Sequence, residues 1–279
     1  MKLTFLGTGT SFGVPVVGCR CATCTSPDPR DRRTRHGALV TLPEGVLLVD
    51  TPPELRLQLL ATGTERVHAV WYTHVHADHV HGIDDLRIFS VRGHGAVRAY
   101  VPRGTEGEFH QRFPYIFDPE VNPAEGSSKP LVHLRALEAG EPVEILGRTV
   151  LPLEVPHGAM TVLGFRVGGL GYITDAKRLP RATLDGLRGV EVLVLNALWR
   201  GNPHPTHFNV EEALEAALTV GAPRTYLTHL THRVRHQELL EYLPDGVEPA
   251  FDGLVVEVEE GRPPGTHPRR STVTTPKEE

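Results

Sequence analysis

The 279-residue chain carries 29 lysines and arginines against 34 aspartates and glutamates, a net charge of −5. That length supports one large core or two small ones, and the acidic balance argues against a protein that coats nucleic acid, leaving only a local basic groove open. No apolar stretch approaches the ~18 residues of a membrane span, and Met1 to Gly7 is too short an apolar run for a signal peptide, so the expected location is the cytoplasm.

Twenty-eight glycines and 24 prolines predict short elements and many tight turns. Leu3 to Leu6 reads as a strand that runs into Gly7-Thr8-Gly9-Thr10-Ser11-Phe12-Gly13. Phe12 stands where a dinucleotide-binding loop has its third glycine, and no helical pattern follows. The loop therefore reads as a turn that lets backbone pass close to a neighbour. The three cysteines, Cys19, Cys21 and Cys24, continue it at C-x-C-x-x-C spacing. An odd count in a cytosolic chain is poor disulfide material and good thiolate-ligand material, with a fourth ligand still to be found. Ser26 to Arg33, charged and broken by proline, reads as an exposed loop.

Residues 38–42 and 46–49 predict a hairpin around Pro43-Glu44-Gly45, ending in Asp50-Thr51-Pro52-Pro53. Asp50 at that strand end is a candidate partner for a metal-bound histidine. Residues 54–61 predict a helix closed by Gly63. The apolar run 67–72 predicts a buried strand, and the spacing of Val80, Ile83 and Leu86 predicts a helix over 80–91.

Between these lies Tyr72-Thr73-His74-Val75-His76-Ala77-Asp78-His79-Val80-His81. Three imidazoles and a carboxylate in six residues on a strand-to-helix loop suit zinc, manganese or iron. One loop cannot close two metal shells, so further ligands are expected at the ends of later strands. His81 and His94 flank the motif as secondary candidates for a substrate phosphate.

Residues 97–101 read as a strand. Residues 103–130 are irregular, and Phe109, Phe113, Tyr115 and Phe117 there read as core rather than lid. Strands are predicted over 131–134, 143–145 and 149–155, the last delivering His157. A hairpin over 162–167 and 170–174 delivers Asp175. A short helix (179–187) and a buried strand (190–195) follow. In His204-Pro205-Thr206-His207-Phe208-Asn209, Asn209 reads as an N-cap with Glu212 closing a capping box ahead of a helix over 210–220. A strand over 224–228 delivers His229, with His232 three residues on. A helix over 238–242 and a strand over 254–258 complete the pattern. Residues 259–279 are a polar, proline-rich tail, disordered or an arm for a partner.

Seven candidate ligands now sit at strand ends. His74, His76 and His157 form one shell, Asp78, His79 and His229 the other, and Asp175 bridges. Two metals ~3.5–4 Å apart clamp the attacking and leaving oxygens of a phosphoryl transfer. Because the ligands run from residue 74 to 229, both halves build one site, which favours a single domain over 1–258.

On these residues, in this order, the chain resembles the metallo-β-lactamase superfamily. The resemblance implies an α/β fold, a four-layer αβ/βα sandwich with two divalent metals, zinc or manganese, at one edge. Bridging Asp175 is similar to the phosphodiesterase branch. Leu6 to Ser11 with Gly18 to Cys24 narrows the resemblance to the phosphoribosyl cyclic-phosphate phosphodiesterases. That implies a separate structural zinc on Cys19, Cys21, Cys24 and His232, and His207 in the place of a general acid. Asp78 and His207 are carried as the catalytic residues. The implied reaction is hydrolysis of a small, preferably cyclic, phosphodiester by metal-bound hydroxide, with no membrane or nucleic-acid partner and a homodimer left open. The tRNA 3′-end-processing endonucleases and the pyrroloquinoline quinone biosynthesis proteins share parts of this pattern. An idle metal-carrying protein is the non-enzyme alternative. The nine histidines outside the ligand set, His207 and His232 read as surface or capping groups.

Overall fold

A computed structural model describes residues 1–259, so the expected tail lies outside the described residues except for Glu259. One sheet holds β1 (Lys2–Gly7), β2 (Gly37–Leu42), β3 (Gly45–Val49), β4 (Ala69–Trp71), β5 (Val97–Pro102) and β6 (Val132–Leu137). The other holds β7 (Val143–Ile145), β8 (Arg148–His157), β9 (Met160–Val167), β10 (Leu170–Tyr172), β11 (Val192–Asn196), β12 (Arg224–Thr228) and β13 (Val247–Pro249). β14 (Val255–Glu257) returns to the first sheet and pairs with β1. The orders are β14-β1-β2-β3-β4-β5-β6 and β13-β12-β11-β10-β9-β8-β7. In each sheet the hairpin strands are antiparallel, while β3 to β6 and β10 to β13 run parallel.

Strand alternation explains the layering. Leu47, Val49, Trp71, Val192 and Val194 point into the apolar layer shared by the two sheets. Leu48, Val70 and Tyr72 point outward beneath α1 (Leu55–Ala61), α2 (Ala77–Val80), α3 (Arg87–Val91), α4 (Glu106–Arg112) and α5 (Pro114–Phe117). Leu193 and Leu195 point outward beneath α6 (Arg181–Gly186), α7 (Val210–Val220) and α8 (His236–Tyr242). Both faces of both sheets are apolar, so both need cover, and the result is a four-layer αβ/βα sandwich. Burying one leucine-sized side chain contributes about 1.5–3 kcal/mol, so this double cover stabilises each strand from two sides.

The predicted helix over 80–91 is instead α2, a 3₁₀ turn at Ile83–Leu86 and α3. Gly82 marks the first break. A Cβ there would meet Pro52 O at 2.1 Å, so the chain turns where two backbones touch. The glycine loop after β1 has the same cause, since a Cβ on Gly7 would meet Arg35 O at 1.9 Å. β13, three residues long and closed by proline, was not anticipated; it has no alternation to read.

The stretch 26–33 is not simply exposed. Asp31 and Arg33 are buried at 2% and 1% exposure. Asp31 Oδ1 accepts from His236 N at 2.6 Å, and Arg33 Nη1 donates to Ala250 O at 2.8 Å. These bonds tie the cysteine loop to the C-terminal segments. In residues 103–130, Phe109 is fully buried and Phe113 and Phe117 pack partly against the same layer, as core residues do, but Tyr115 is not core: its ring is exposed and its hydroxyl donates to Asp84 Oδ1 at 2.8 Å. Arg112 Nη1 donates to Val75 O, so α4 also braces the histidine loop.

Candidate metal centre

Parallel strands in register end together, and here the ends carry the polar groups. Asp50 follows β3, the His74–His79 loop follows β4, His157 ends β8, Asp175 follows β10 and His229 follows β12. Asp50, Asp175 and His229 adopt φ of 60°, 51° and 58°. Non-glycine residues seldom enter that left-handed region, and strain of this kind clusters at functional sites. In each case the kink follows the last strand residue or its near neighbour at the sheet edge.

Two donor sets result. His74, His76, His157 and Asp175 form one, and Asp78, His79 and His229 form the other, with the ligand atoms of each set within 4.8 Å of one another. Asp175 lies between them. Its Oδ2 is 3.5 Å from His74 Nε2 and 3.3 Å from His79 Nε2, and its Oδ1 is 3.2 Å from His229 Nε2. His79 Nε2 and both ring nitrogens of His229 are buried without a hydrogen-bond partner. A buried nitrogen lone pair without a donor is costly unless something else satisfies it. Imidazole and carboxylate donors with orphaned nitrogens fit divalent metal ions.

Neighbours set the tautomers. His157 Nδ1 donates to Thr206 O at 3.2 Å, leaving its Nε2 lone pair free. His79 Nδ1 donates to Asp50 Oδ2 at 2.7 Å. Asp50 is itself held by Thr73, whose N–H reaches Oδ1 at 2.8 Å and whose hydroxyl reaches Oδ2 at 2.9 Å. Burial keeps His74 and His157 below the ordinary imidazole pKa and takes His229 down to about 4. Burial would lower His79 too, but Asp50 and Asp175 hold it well above the ordinary value. Burial would raise Asp175, yet His229 and His79 hold it well below the carboxylate range. Three of the imidazoles thus offer lone pairs at neutral pH, and a cation at His79 would displace a proton.

The second cluster is Cys19, Cys21, Cys24 and His232. His232 Nδ1 lies 3.3, 3.5 and 3.6 Å from the three sulfurs in that order. Bonds of ~2.3 Å to sulfur and ~2.0 Å to nitrogen in a tetrahedron put those atoms ~3.5 Å apart, so the donors fit a closed metal site. The Cys24 amide lowers the Cys21 thiol to about 6, near thiolate at neutral pH. The loop reaches the other centre directly, because Leu230, next to His229, donates from N to Thr8 O at 2.8 Å.

His207 sits beside the centre, with 13% of its side chain exposed. Its Nε2 is 3.8 Å from Asp175 Oδ2, and its ring centroid is 4.5 Å from that of His157 and 5.1 Å from that of His229. Of the secondary candidates, His81 stays near the motif against the Phe113 ring. His94 does not. It precedes β5 and stacks on Phe89, at the strand end opposite the donors.

Among the described residues, three of the nine remaining histidines are neither surface nor capping groups, one of them His236, which is buried at 3% exposure with its backbone N–H on Asp31. His36 is fully buried beneath the donors, with ring centroids 5.4 Å from His79 and 6.0 Å from His229, and its Nε2 is 3.0 Å from the Tyr172 hydroxyl. His204 Nδ1 is 3.2 Å from His207 Nδ1. Asn196 also passed unread. Its amide pairs both with N and with O of Ala176, pinning the residue after Asp175. An asparagine at the foot of an otherwise apolar strand was the available signal.

A family model for the β-lactamase superfamily domain matches residues 46–230, a span holding all seven strand-end donors. The chain belongs to the metallo-β-lactamase superfamily, and its two-sheet sandwich is that fold. Within it, the chain stands with the PhnP family, whose namesake is the phosphoribosyl cyclic phosphate phosphodiesterase. It is 37% identical to a diphosphatase of that family of known crystal structure, with a TM-score of 0.84, covering 93% of this chain and 98% of that one. It is 35% identical over 93% of its length to an octanoyltransferase of Porphyromonas gingivalis, but spans only 52% of that relative. A ribonuclease Z of Pyrobaculum arsenaticum is 26% identical over 92% of this chain and 99% of the relative. Among the described residues no helix is long and apolar enough to cross a membrane.

Proposed function

We propose that the chain is a metal-dependent phosphodiesterase acting on a small diester, with cyclic phosphates preferred. The observation that carries this reading is Asp175, whose two oxygens reach both donor sets. Two divalent cations, zinc or manganese by donor chemistry, would be held by His74, His76 and His157 and by Asp78, His79 and His229, with Asp175 shared. Such cations polarise a phosphoryl group and acidify water.

The chain's own residues do the rest. Thr206 O and Asp50 hold His157 and His79 with their Nε2 atoms inward. Asp78, largely buried beside His79 with 12% of its side chain exposed, is placed to take a proton from the attacking water. Water adds to phosphorus, the P–O bond to the leaving oxygen breaks, and His207 Nε2 passes its proton to that oxygen. The ring is left neutral with its Nδ1–H intact.

A diphosphate diester is the second substrate class, favoured by the identity to a diphosphatase over nearly its whole length. It asks for the same clamp, and its phosphate leaving group needs less proton assistance. The tRNA reading is weaker because a chain of net charge −5 is a poor polyanion binder. Octanoyl transfer is assigned to a relative of which this chain spans half, and the donor sets here lend it no support.

The test is metal-loaded protein against bis-p-nitrophenyl phosphate, 2′,3′-cyclic nucleotides, phosphoribosyl cyclic phosphate, a diphosphate diester and pre-tRNA. Turnover of the small diesters is expected. Oxygen-dependent oxidation without diester turnover would sink the hydrolase reading.

A further inference from the structure

The imidazoles do not stop at His207. His204 Nδ1 lies 3.2 Å from His207 Nδ1, so one nitrogen must carry the shared proton. The backbone decides which. Thr206 N–H points at His204 Nδ1 from 3.3 Å, so that atom is an acceptor. The proton therefore belongs to His207 Nδ1, shared between His204 Nδ1 and the Thr206 hydroxyl oxygen at 2.9 Å. With Nδ1 engaged on the outer side, His207 Nε2 faces Asp175 Oδ2.

His204 is itself backed. Its ring meets the Trp199 indole edge-on, with centroids 5.5 Å apart at 83°. The indole donates from Nε1 to Asn202 O at 2.8 Å, and the Arg233 guanidinium covers it at 4.3 Å. The backbone there is fixed as well, since Leu198 N donates to Phe208 O at 3.0 Å and Val210 N to Trp199 O at 2.8 Å. A side chain with this much support presents its acceptor in one place.

We propose that His204 is a positioning residue for the hydrolytic reaction: it accepts the Nδ1–H of His207 and so aims His207 Nε2 at the leaving oxygen of the substrate. This rests on the reading of His207 as proton donor given above. An orientation error of the donor ring matters most where the leaving group needs its proton. An alkoxide does, and 4-nitrophenolate does not.

The experiment uses metal-loaded protein with His204→Leu, which removes the acceptor, and His204→Asn, whose Oδ1 can take the place of Nδ1. Rates are read on a diester with an alkoxide leaving group and on one with 4-nitrophenolate, alongside metal content. Imidazole ¹⁵N–¹H spectra of His207 report its tautomer without any turnover. His204→Leu should lose about 10²-fold in kcat on the alkoxide substrate, at least tenfold more than on the nitrophenyl one. Its metal content should hold, and its His207 should no longer be confined to the Nδ1–H form. His204→Asn should recover most of both. Equal losses on the two leaving groups, or a wild-type His207 spectrum in His204→Leu, would overturn the proposal. Wild-type protein inert on every diester would remove the hydrolytic reading instead, and the His207 spectra would still decide the hydrogen bond.

Discussion

Asp50 Oδ2 lies 2.7 Å from His79 Nδ1, and both side chains are wholly buried. Each Asp50 oxygen is spoken for, because Thr73 N–H occupies Oδ1 and His79 occupies Oδ2. Asparagine tolerates φ near 60°, so Asp50→Asn keeps the backbone and changes only the hydrogen bonds. Its amide has one acceptor where two are needed, and an N–H then faces a donor. Asp50→Asn should lower metal affinity by about 10–100-fold, as loss of a partner behind a metal-bound imidazole does. Competition titration with a zinc chelator checks it; wild-type affinity would mean that Asp50 only turns the chain.

Asp175→Asn makes the parallel case at φ 51°. The amide nitrogen would face either His79 Nε2 or His229 Nε2, each now 3.2–3.3 Å from a carboxylate oxygen. Metal stoichiometry at the histidine centre should fall below two, and turnover by about 10²-fold or more, given that a bound cation contributes several kcal/mol to a phosphoryl transition state. Metal analysis with steady-state rates tests this, and full occupancy with full activity would remove Asp175 as the bridge.

Most of the donor set was legible because chemistry and position coincide in it. His74 to His79 are contiguous, and His157, Asp175 and His229 each follow a run of alternating or apolar residues. The helix over 210–220 was legible to the residue because Asn209 and Glu212 form a local capping box, seen in the structure at 2.8 and 3.0 Å. What escaped depends on contacts distant in sequence. Nothing near His36 announces Tyr172, 136 residues away, and nothing near Asp31 announces His236 N, 205 residues away. The break at Gly82 likewise required knowing that Pro52 would lie against it.

His236 carries a stability prediction. Burial, with the charges of Arg33 and Arg30, takes its pKa from the ordinary 6.5 down to about 4. The unfolded chain then binds more protons than the folded one between those values. Stability should fall as pH drops from about 6.5 to about 4 and level off below, while above 6.5 this residue contributes no slope. His236→Phe, an apolar ring beside Phe251, removes the titrating group. Urea midpoints at pH 7 and pH 4.5 should differ less in the variant than in wild type. Equal differences would show that His236 is not the residue protonated.

The last prediction concerns the cysteine cluster, where zinc would be structural. Three thiolates and one imidazole at 3.3–3.6 Å leave no position for water, so the site stabilises and does not catalyse. Its placement gives it reach. His232 lies three residues past His229, and Leu230 N is bonded to Thr8 O on the strand-end loop that leads to the cysteines. His229 stands in a left-handed conformation with neither ring nitrogen hydrogen-bonded, so its placement leans on its backbone flanks as well as on the rings packed around it. Cys21→Ser removes the sulfur that the Cys24 amide favours as thiolate. Bound zinc should fall by one equivalent and the melting temperature should drop. Turnover should weaken through displacement of His229 and not through loss of a reacting group. A zinc-selective chelator applied to wild type at low concentration should reproduce the same melting temperature. An unchanged zinc count in Cys21→Ser, or zinc-edge absorption fine structure showing no Zn–S bond near ~2.3 Å in zinc-replete protein, would leave three free thiols and no buttress.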